Sequence, residues 1–269
     1  MRVLRLAWRL PALTCWVLFG LFWALTGLRL MGPAGRKQSL RIFARGVLGL
    51  CGVRLMPEGD VQFPTPCLVV SNHISWIDIF VLQALEPITF IAKSDIRTWP
   101  VIGPLVTASG TLYIERGRRS AIKEVMNEAQ VRLDHGARIM FFPEGTTSDG
   151  HTVLKFYPNF FALIEHRPSL PMRPLTLRYF QDGQPTTIPA YIGDMSLVQS
   201  IVAIMSARGL TANPILHRPV DAQHVVHGDA NPDRRALAHA LYPIIAGPLR
   251  LNAPSPPAET APDRPAALQ

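Results

Sequence analysis

No aspartate or glutamate occurs before Glu58, although nine basic side chains do: Arg2, Arg5, Arg9, Arg29, Arg36, Lys37, Arg41, Arg45 and Arg54. The other 212 residues hold 18 basic and 19 acidic groups, so the formal net charge of +8 belongs to the N-terminus. A nucleic-acid binder would carry its basic footprint on the folded body, and that is excluded as a partner. Cysteine is scarce: Cys15, Cys51 and Cys67 are odd in number, far apart and set among apolar residues. They build neither a disulfide framework nor a zinc site and read as buried thiols in a reducing compartment. Missing too are a Gly-x-Ser-x-Gly elbow, a dinucleotide glycine fingerprint and a phosphate-binding P-loop. Charged residues make up only 17% of the chain against 48% apolar, too hydrophobic for disorder and low in charge for a soluble protein.

What the N-terminus has is a charge-free run of 19 residues, Leu10 to Leu28, between Arg9 and Arg29. At ~1.5 Å per residue such a helix just reaches across a hydrocarbon core. A basic segment before an apolar run also fits a signal peptide, but the run is long and lacks a small-residue cleavage site. Positive charge on both flanks gives little direction for crossing. In Gln38–Leu55, Leu40, Phe43, Val47, Leu48 and Cys51 recur near helical spacing with Arg41 and Arg45 on another side. Two membrane-embedded helices on the cytoplasmic face of the inner membrane are therefore expected within residues 1–57, with a single spanning anchor as the alternative.

From Pro64 onward short β-rich runs alternate with helical ones. Strands are expected at Cys67–Ser71, Ile88–Ala92, Thr111–Ile114, Ala137–Phe142, Arg173–Tyr179 and Thr187–Ile192, and helices at Ser75–Leu85, Arg118–Leu133 and Leu197–Arg208. The pattern implies an α/β fold with a mixed, partly parallel central sheet flanked by helices, occupying residues 58–252. Residues 253–269, rich in Pro and Ala, are expected to be a disordered tail.

Three polar runs follow strands, where open α/β sheets place their ligands. In Ser71-Asn72-His73-Ile74-Ser75-Trp76-Ile77-Asp78 the carboxylate five residues after the imidazole can reach back and fix its tautomer, leaving the other nitrogen to accept a proton. No nucleophile motif surrounds Ser71 or Ser75, so the pair suits activation of a substrate hydroxyl. Taken singly it reads equally as a capping Asp beside a turn His. In Phe142-Pro143-Glu144-Gly145-Thr146-Thr147-Ser148, hydroxyls and backbone N–H groups converge as in anion-holding turns, or simply close a strand. Arg116, in Ile114-Glu115-Arg116-Gly117-Arg118-Arg119, is a planar donor suited to phosphate, or a solvated helix start. His217, His224 and His227 near Asp221 have metal-like spacing but no cysteine and a loop-like context, so no metal is expected there.

Together, Asn72-His73-(four residues)-Asp78, Gly110…Ile114-Glu115-Arg116, Phe142-Pro143-Glu144-Gly145-Thr146 and Leu170-Pro171-Met172-Arg173-Pro174 resemble the glycerolipid acyltransferases typified by lysophosphatidic acid acyltransferase. The segment from Ala92 to Gly103 is similar as well. The resemblance implies transfer of a fatty acyl chain from acyl-CoA or acyl carrier protein to a lysolipid hydroxyl, with no cofactor. It implies His73 as base, Asp78 as its orienting partner, Arg116 on the acceptor phosphate, and Glu144, Gly145, Thr146 and Thr147 shaping the acceptor site. Three departures bear on the acceptor: Thr147 stands where phosphate-acceptor enzymes usually have arginine, Glu115 stands where they usually have aspartate, and Phe156-Tyr157-Pro158-Asn159 lacks a lysine that the family's later motif carries. The Glu-Gly-Thr-Thr-Ser form, with Gly193-Asp194-Met195-Ser196, resembles enzymes that acylate lyso-ornithine lipids. The resemblance thus implies 1-acylglycerol 3-phosphate as acceptor, with a lyso-ornithine lipid as the rival and a non-catalytic lipid-binding protein as the reading of another class.

Overall fold

The computed structural model describes residues 2–114, 119–165, 167–225 and 233–250. Two long helices come first, α1 (Arg2–Leu25) and, after the single turn α2 (Gly27–Leu30), α3 (Pro33–Cys51). Pro33 opens α3, where its missing N–H costs nothing, and Gly52 closes it in the left-handed conformation at φ 74°. Strands β1 (Arg54–Leu55), β2 (Glu58–Gly59) and β3 (Cys67–Ser71) follow, then α4 (Asp78–Leu85), β4 (Thr89–Lys93), α5 (Ile102–Ala108), β5 (Leu112–Ile114), α6 (Arg119–Asp134) and β6 (Arg138–Phe141). The chain continues through α7 (Ala162–Glu165), β7 (Met172–Gln181), β8 (Gln184–Pro185), α8 (Leu197–Ser206), β9 (Leu210–Leu216), α9 (Ala222–Val225) and α10 (Arg234–Arg250).

The main path of the sheet runs β1-β9-β7-β3-β6-β4-β5. The pairs β3–β6, β3–β7, β4–β6 and β4–β5 are parallel, while β7 and β9 pair antiparallel. This is the mixed, largely parallel sheet expected from the sequence. Alternation along the strands feeds two cores, since successive side chains point to opposite faces. Cys67, Val69, Met140, Leu175 and Leu177 pack on one face with α3, α4 and α8. Leu68, Val70, Ile139, Phe141 and Met172 pack on the other, against Ala129 and Leu133 of α6 and Leu237, Leu241 and Ile245 of α10.

One expected strand is absent. Thr187–Ile192 forms a turn, closed by the Ala190 N–H on the Thr187 carbonyl at 2.9 Å, and an extended loop. Pro189 lacks a donor there, and both edges of β7 are already occupied by β3 and β9. The expected helix at Ser75–Leu85 begins at Asp78, and the one at Leu197–Arg208 ends at Ser206. The expected tail from residue 253 lies outside the described residues.

The outward face of α1 carries no charge from Val3 to Leu25. Val3, Leu4, Trp8, Leu18, Phe19, Phe22 and Leu25 are exposed along it. Arg5 and Arg9 turn inward instead, donating to the carbonyls of Ser206 and Met205 at 3.1 Å each, at the end of α8. Val3–Leu25 is long and apolar enough to cross a membrane, and only 11% of its most apolar stretch is buried.

Candidate active site

The parallel strands β3 and β6 end side by side, and each is followed by one of the polar runs. After β3, Asn72 carries the strand pairing one residue further with its side chain. Its Nδ2 donates to the Leu177 carbonyl at 3.1 Å and its Oδ1 accepts from the Leu177 N–H at 2.7 Å. The turn thereby stays registered on β7, and His73 leaves the sheet at a fixed point.

Asp78 opens α4 and is fully buried. Its Oδ2 accepts from the backbone N–H of Ile74 at 2.7 Å and of Ser75 at 2.9 Å, and lies 2.8 Å from His73 Nδ1. A buried carboxylate at a helix start is favoured by the N–H groups and the dipole there. With Asp78 as acceptor, Nδ1 must carry the proton, and Nε2 is the free base. The His73 ring stacks on Phe142, with centroids 3.9 Å apart and planes 9° from parallel. Its side chain keeps 19% exposure while that of Asp78 has none, so of the pair only the imidazole is open to solvent.

The run after β6 wraps around His73 from behind. Glu144 is 1% exposed, and its two oxygens accept from the N–H of His73 at 2.7 Å and of Leu154 at 2.6 Å. Burial, partly offset by these N–H groups, raises its pKa from 4.5 to about 7. Gly145 takes φ 65°, which favours glycine, as its N–H closes a turn on the Phe142 carbonyl at 3.1 Å. Ser148 donates to the His73 carbonyl through N–H at 2.8 Å and hydroxyl at 3.2 Å. The Thr147 hydroxyl donates to the Tyr191 carbonyl, and the Tyr191 N–H donates to the Ile74 carbonyl at 2.9 Å. The segment expected as a strand thus ties the two runs together. Thr146 is exposed on the same loop.

The structure therefore brings His73, Asp78, Glu144, Gly145 and Thr147 together. Glu144 faces inward onto backbone amides rather than outward. Arg116 lies outside the described residues, two positions after β5. Lys155 is exposed just after Leu154. Of the histidines weighed as metal ligands, His217 Nε2 is 2.8 Å from the Thr176 hydroxyl, while the His224 side chain and His227 lie outside the described residues. Sequence reasoning missed Tyr179, whose hydroxyl donates to Asp78 Oδ1 at 2.6 Å, because 101 residues separate them. It missed the ladder role of Asn72 for the same reason, although a buried amide at a strand end was a readable signal.

Comparison with known proteins adds the following. Residues 55–178 match the acyltransferase domain family. The lyso-ornithine lipid O-acyltransferase of Rhizobium meliloti is 28% identical over 239 residues, covering 82% of this chain and 81% of that protein. The 1-acyl-sn-glycerol-3-phosphate acyltransferase of Neisseria meningitidis is 32% identical over 215 residues, covering 79% and 81%. The crystal structure of the 1-acyl-sn-glycerophosphate acyltransferase from Thermotoga maritima superposes with a TM-score of 0.67 over 93% of this chain and 97% of that one, at 18% identity, which bears on the fold alone. This chain belongs to the glycerolipid acyltransferase family and is an acyltransferase.

Proposed function

We propose that the chain moves a fatty acyl group from a thioester donor, acyl-CoA or acyl carrier protein, to the free hydroxyl of 1-acylglycerol 3-phosphate. The observation that carries this is the partly exposed imidazole of His73, held at Nδ1 by a fully buried Asp78. His73 Nε2 takes the proton as the hydroxyl oxygen attacks the thioester carbonyl carbon. The C–O bond forms, the C–S bond breaks, and Nε2 returns the proton to the departing thiolate. A thioester already has a good leaving group, so positioning and a base suffice, and these steps call on no metal or resident cofactor. Arg116 is assigned to the acceptor phosphate, while Gly145, Thr146 and Thr147 form the loop against the acceptor and Glu144 braces that loop from behind.

A specific observation favours a lyso-ornithine lipid as second reading. Thr147 offers no cation to a phosphate dianion, and its hydroxyl is engaged with Tyr191. The charge-free face of α1, with Arg29, Arg36 and Lys37 exposed around the turn before α3, supports a seat on the cytoplasmic face of the inner membrane, where lysolipid and membrane lipids are at hand. An acceptor screen with purified protein, pairing each lysolipid with both donors, tests the proposal. Transfer to 1-acylglycerol 3-phosphate is expected, transfer confined to lyso-ornithine lipid selects the second reading, and no transfer to any lysolipid refutes both.

A further inference from the structure

The carboxylate of Asp78 has a second oxygen to which the steps above assign no task. Oδ1 lies in a residue with no solvent exposure, and the Tyr179 hydroxyl donates to it at 2.6 Å. Tyr179 is itself buried on β7, two residues after Leu177 and therefore on the same face. Leu177 is the residue that Asn72 holds through both N–H and carbonyl. One strand thus grips the His73 turn at its entry and at its catalytic carboxylate. Burial and the neighbouring Asp78 charge raise the pKa of Tyr179 well above its ordinary value, so the phenol stays protonated and donates.

We propose that Tyr179 is a positioning residue for acyl transfer, its O–H holding Asp78 Oδ1 so that Oδ2 faces His73 Nδ1. The assignment rests on His73 being the base. It has an electrostatic consequence as well as a geometric one. A donor on Oδ1 draws charge away from Oδ2 and moderates the pull of the carboxylate on the imidazole proton. Without it, Asp78 Oδ2 draws more strongly on the Nδ1 proton of His73. Among the described residues the titratable groups around Asp78 are His73 on the turn, Tyr179 on β7 and Glu144 after β6, whose charge also acts on it. Helix α8 carries no titratable side chain.

Tyr179→Phe keeps the ring and removes the donor. Measured on the full chain with the best lysolipid and donor from the screen, kcat is expected to fall about tenfold, as for loss of a hydrogen bond to a charged group, with both KM values within about twofold. The acid limb of the pH–rate profile should move to higher pH in the variant. In an Asp78→Asn background the same change should have no further effect, because the pair acts as a unit. Replacing Tyr179 with 3-fluorotyrosine, a stronger donor that keeps the fold, should move the acid limb the opposite way. The downfield Nδ1 proton resonance of His73 should shift in Tyr179→Phe whether or not any acyl transfer is detected. A folded Tyr179→Phe protein with unchanged kcat, pH profile and resonance overturns the proposal, as does a fully additive loss with Asp78→Asn. Failure of the wild type to acylate any lysolipid counts against the acyl-transfer reading alone, since the resonance still tests the contact.

Discussion

In the N-terminal helices Arg5, Arg9, Arg41 and Arg45 each donate to a backbone carbonyl where a neighbouring helix ends: Ser206, Met205, Leu85 and Ala84. In the turns after β3 and β6, Asp78 and Glu144 each accept from backbone amides, of Ile74 and Ser75 and of His73 and Leu154. The two devices meet on α4, which has Asp78 at its first turn and two arginines of α3 at its last. Both signs complement the helix dipole. They differ in burial: the carboxylates are almost wholly enclosed, while the side chain of Arg41 keeps 28% exposure. A buried charge that loses its partners costs far more than a wet one. Charge at the catalytic end should therefore govern chemistry and pH response, and charge in the N-terminal helices should contribute modest stability.

The largest expected effect lies at the imidazole. His73→Ala should lower acyl transfer by at least ~10²-fold in protein that remains folded. Near-wild-type turnover would break the comparison at its stronger end. Next comes the apolar face of α1. Leu18→Glu with Phe22→Glu puts two charges where lipid is expected and should weaken co-sedimentation with vesicles at least tenfold, leaving the folded body unchanged. If binding persists, the outward face of α1 is not the membrane face.

Glu144 makes the pH prediction. Its pKa is raised in the fold to about 7 from 4.5, so the folded protein binds more protons than the unfolded chain between those values. The contribution of Glu144 to stability is then greatest below pH ~4.5 and is lost as pH rises through about 7, an effect of up to ~3 kcal/mol. Thermal melts of wild type and Glu144→Gln across pH 5 to 8 isolate it. The wild type should lose more stability over that window than the variant, and identical slopes would show that the two amides fully support the ionised form.

How much of this was legible follows from what sequence patterns can hold. β3 and β6 stood out because both of their faces are buried and they read as continuous apolar runs. The His73–Asp78 pair was legible because it is local, set by a five-residue turn. β9 and α10 were not. Pro214 sits within β9 and Pro243 and Pro248 within α10, and such prolines disguise a strand or helix whose tertiary contacts support it. The Thr187–Ile192 run had strand-like residues but no free sheet edge to join. Tyr179, Asn72 and the inward turn of Glu144 depend on which strands become neighbours, and periodicity does not encode that. The nine N-terminal cations were counted correctly, but their direction was not: the count suggested a surface for anionic lipid, while five of them, Arg5, Arg9, Arg36, Arg41 and Arg45, donate to backbone carbonyls at helix ends.

That direction is the subject of the smallest effect. Arg9 is half-buried, its guanidinium lies over Gly52, and its Nη1 donates to the Met205 carbonyl, while its Nε is buried without a partner. Arg9→Gln removes one favourable contact with a helix end and one unsatisfied N–H, so the two changes partly cancel. A loss of about 0.5–1 kcal/mol is expected by chemical denaturation. Because the charge faces inward, affinity for anionic vesicles should stay within about twofold of wild type. Arg29→Gln together with Lys37→Gln, both on exposed positions at the turn between the long helices, should weaken that affinity further and flatten its salt dependence. If Arg9→Gln costs as much vesicle affinity as the exposed pair, the N-terminal arginines act on lipid and not on α8.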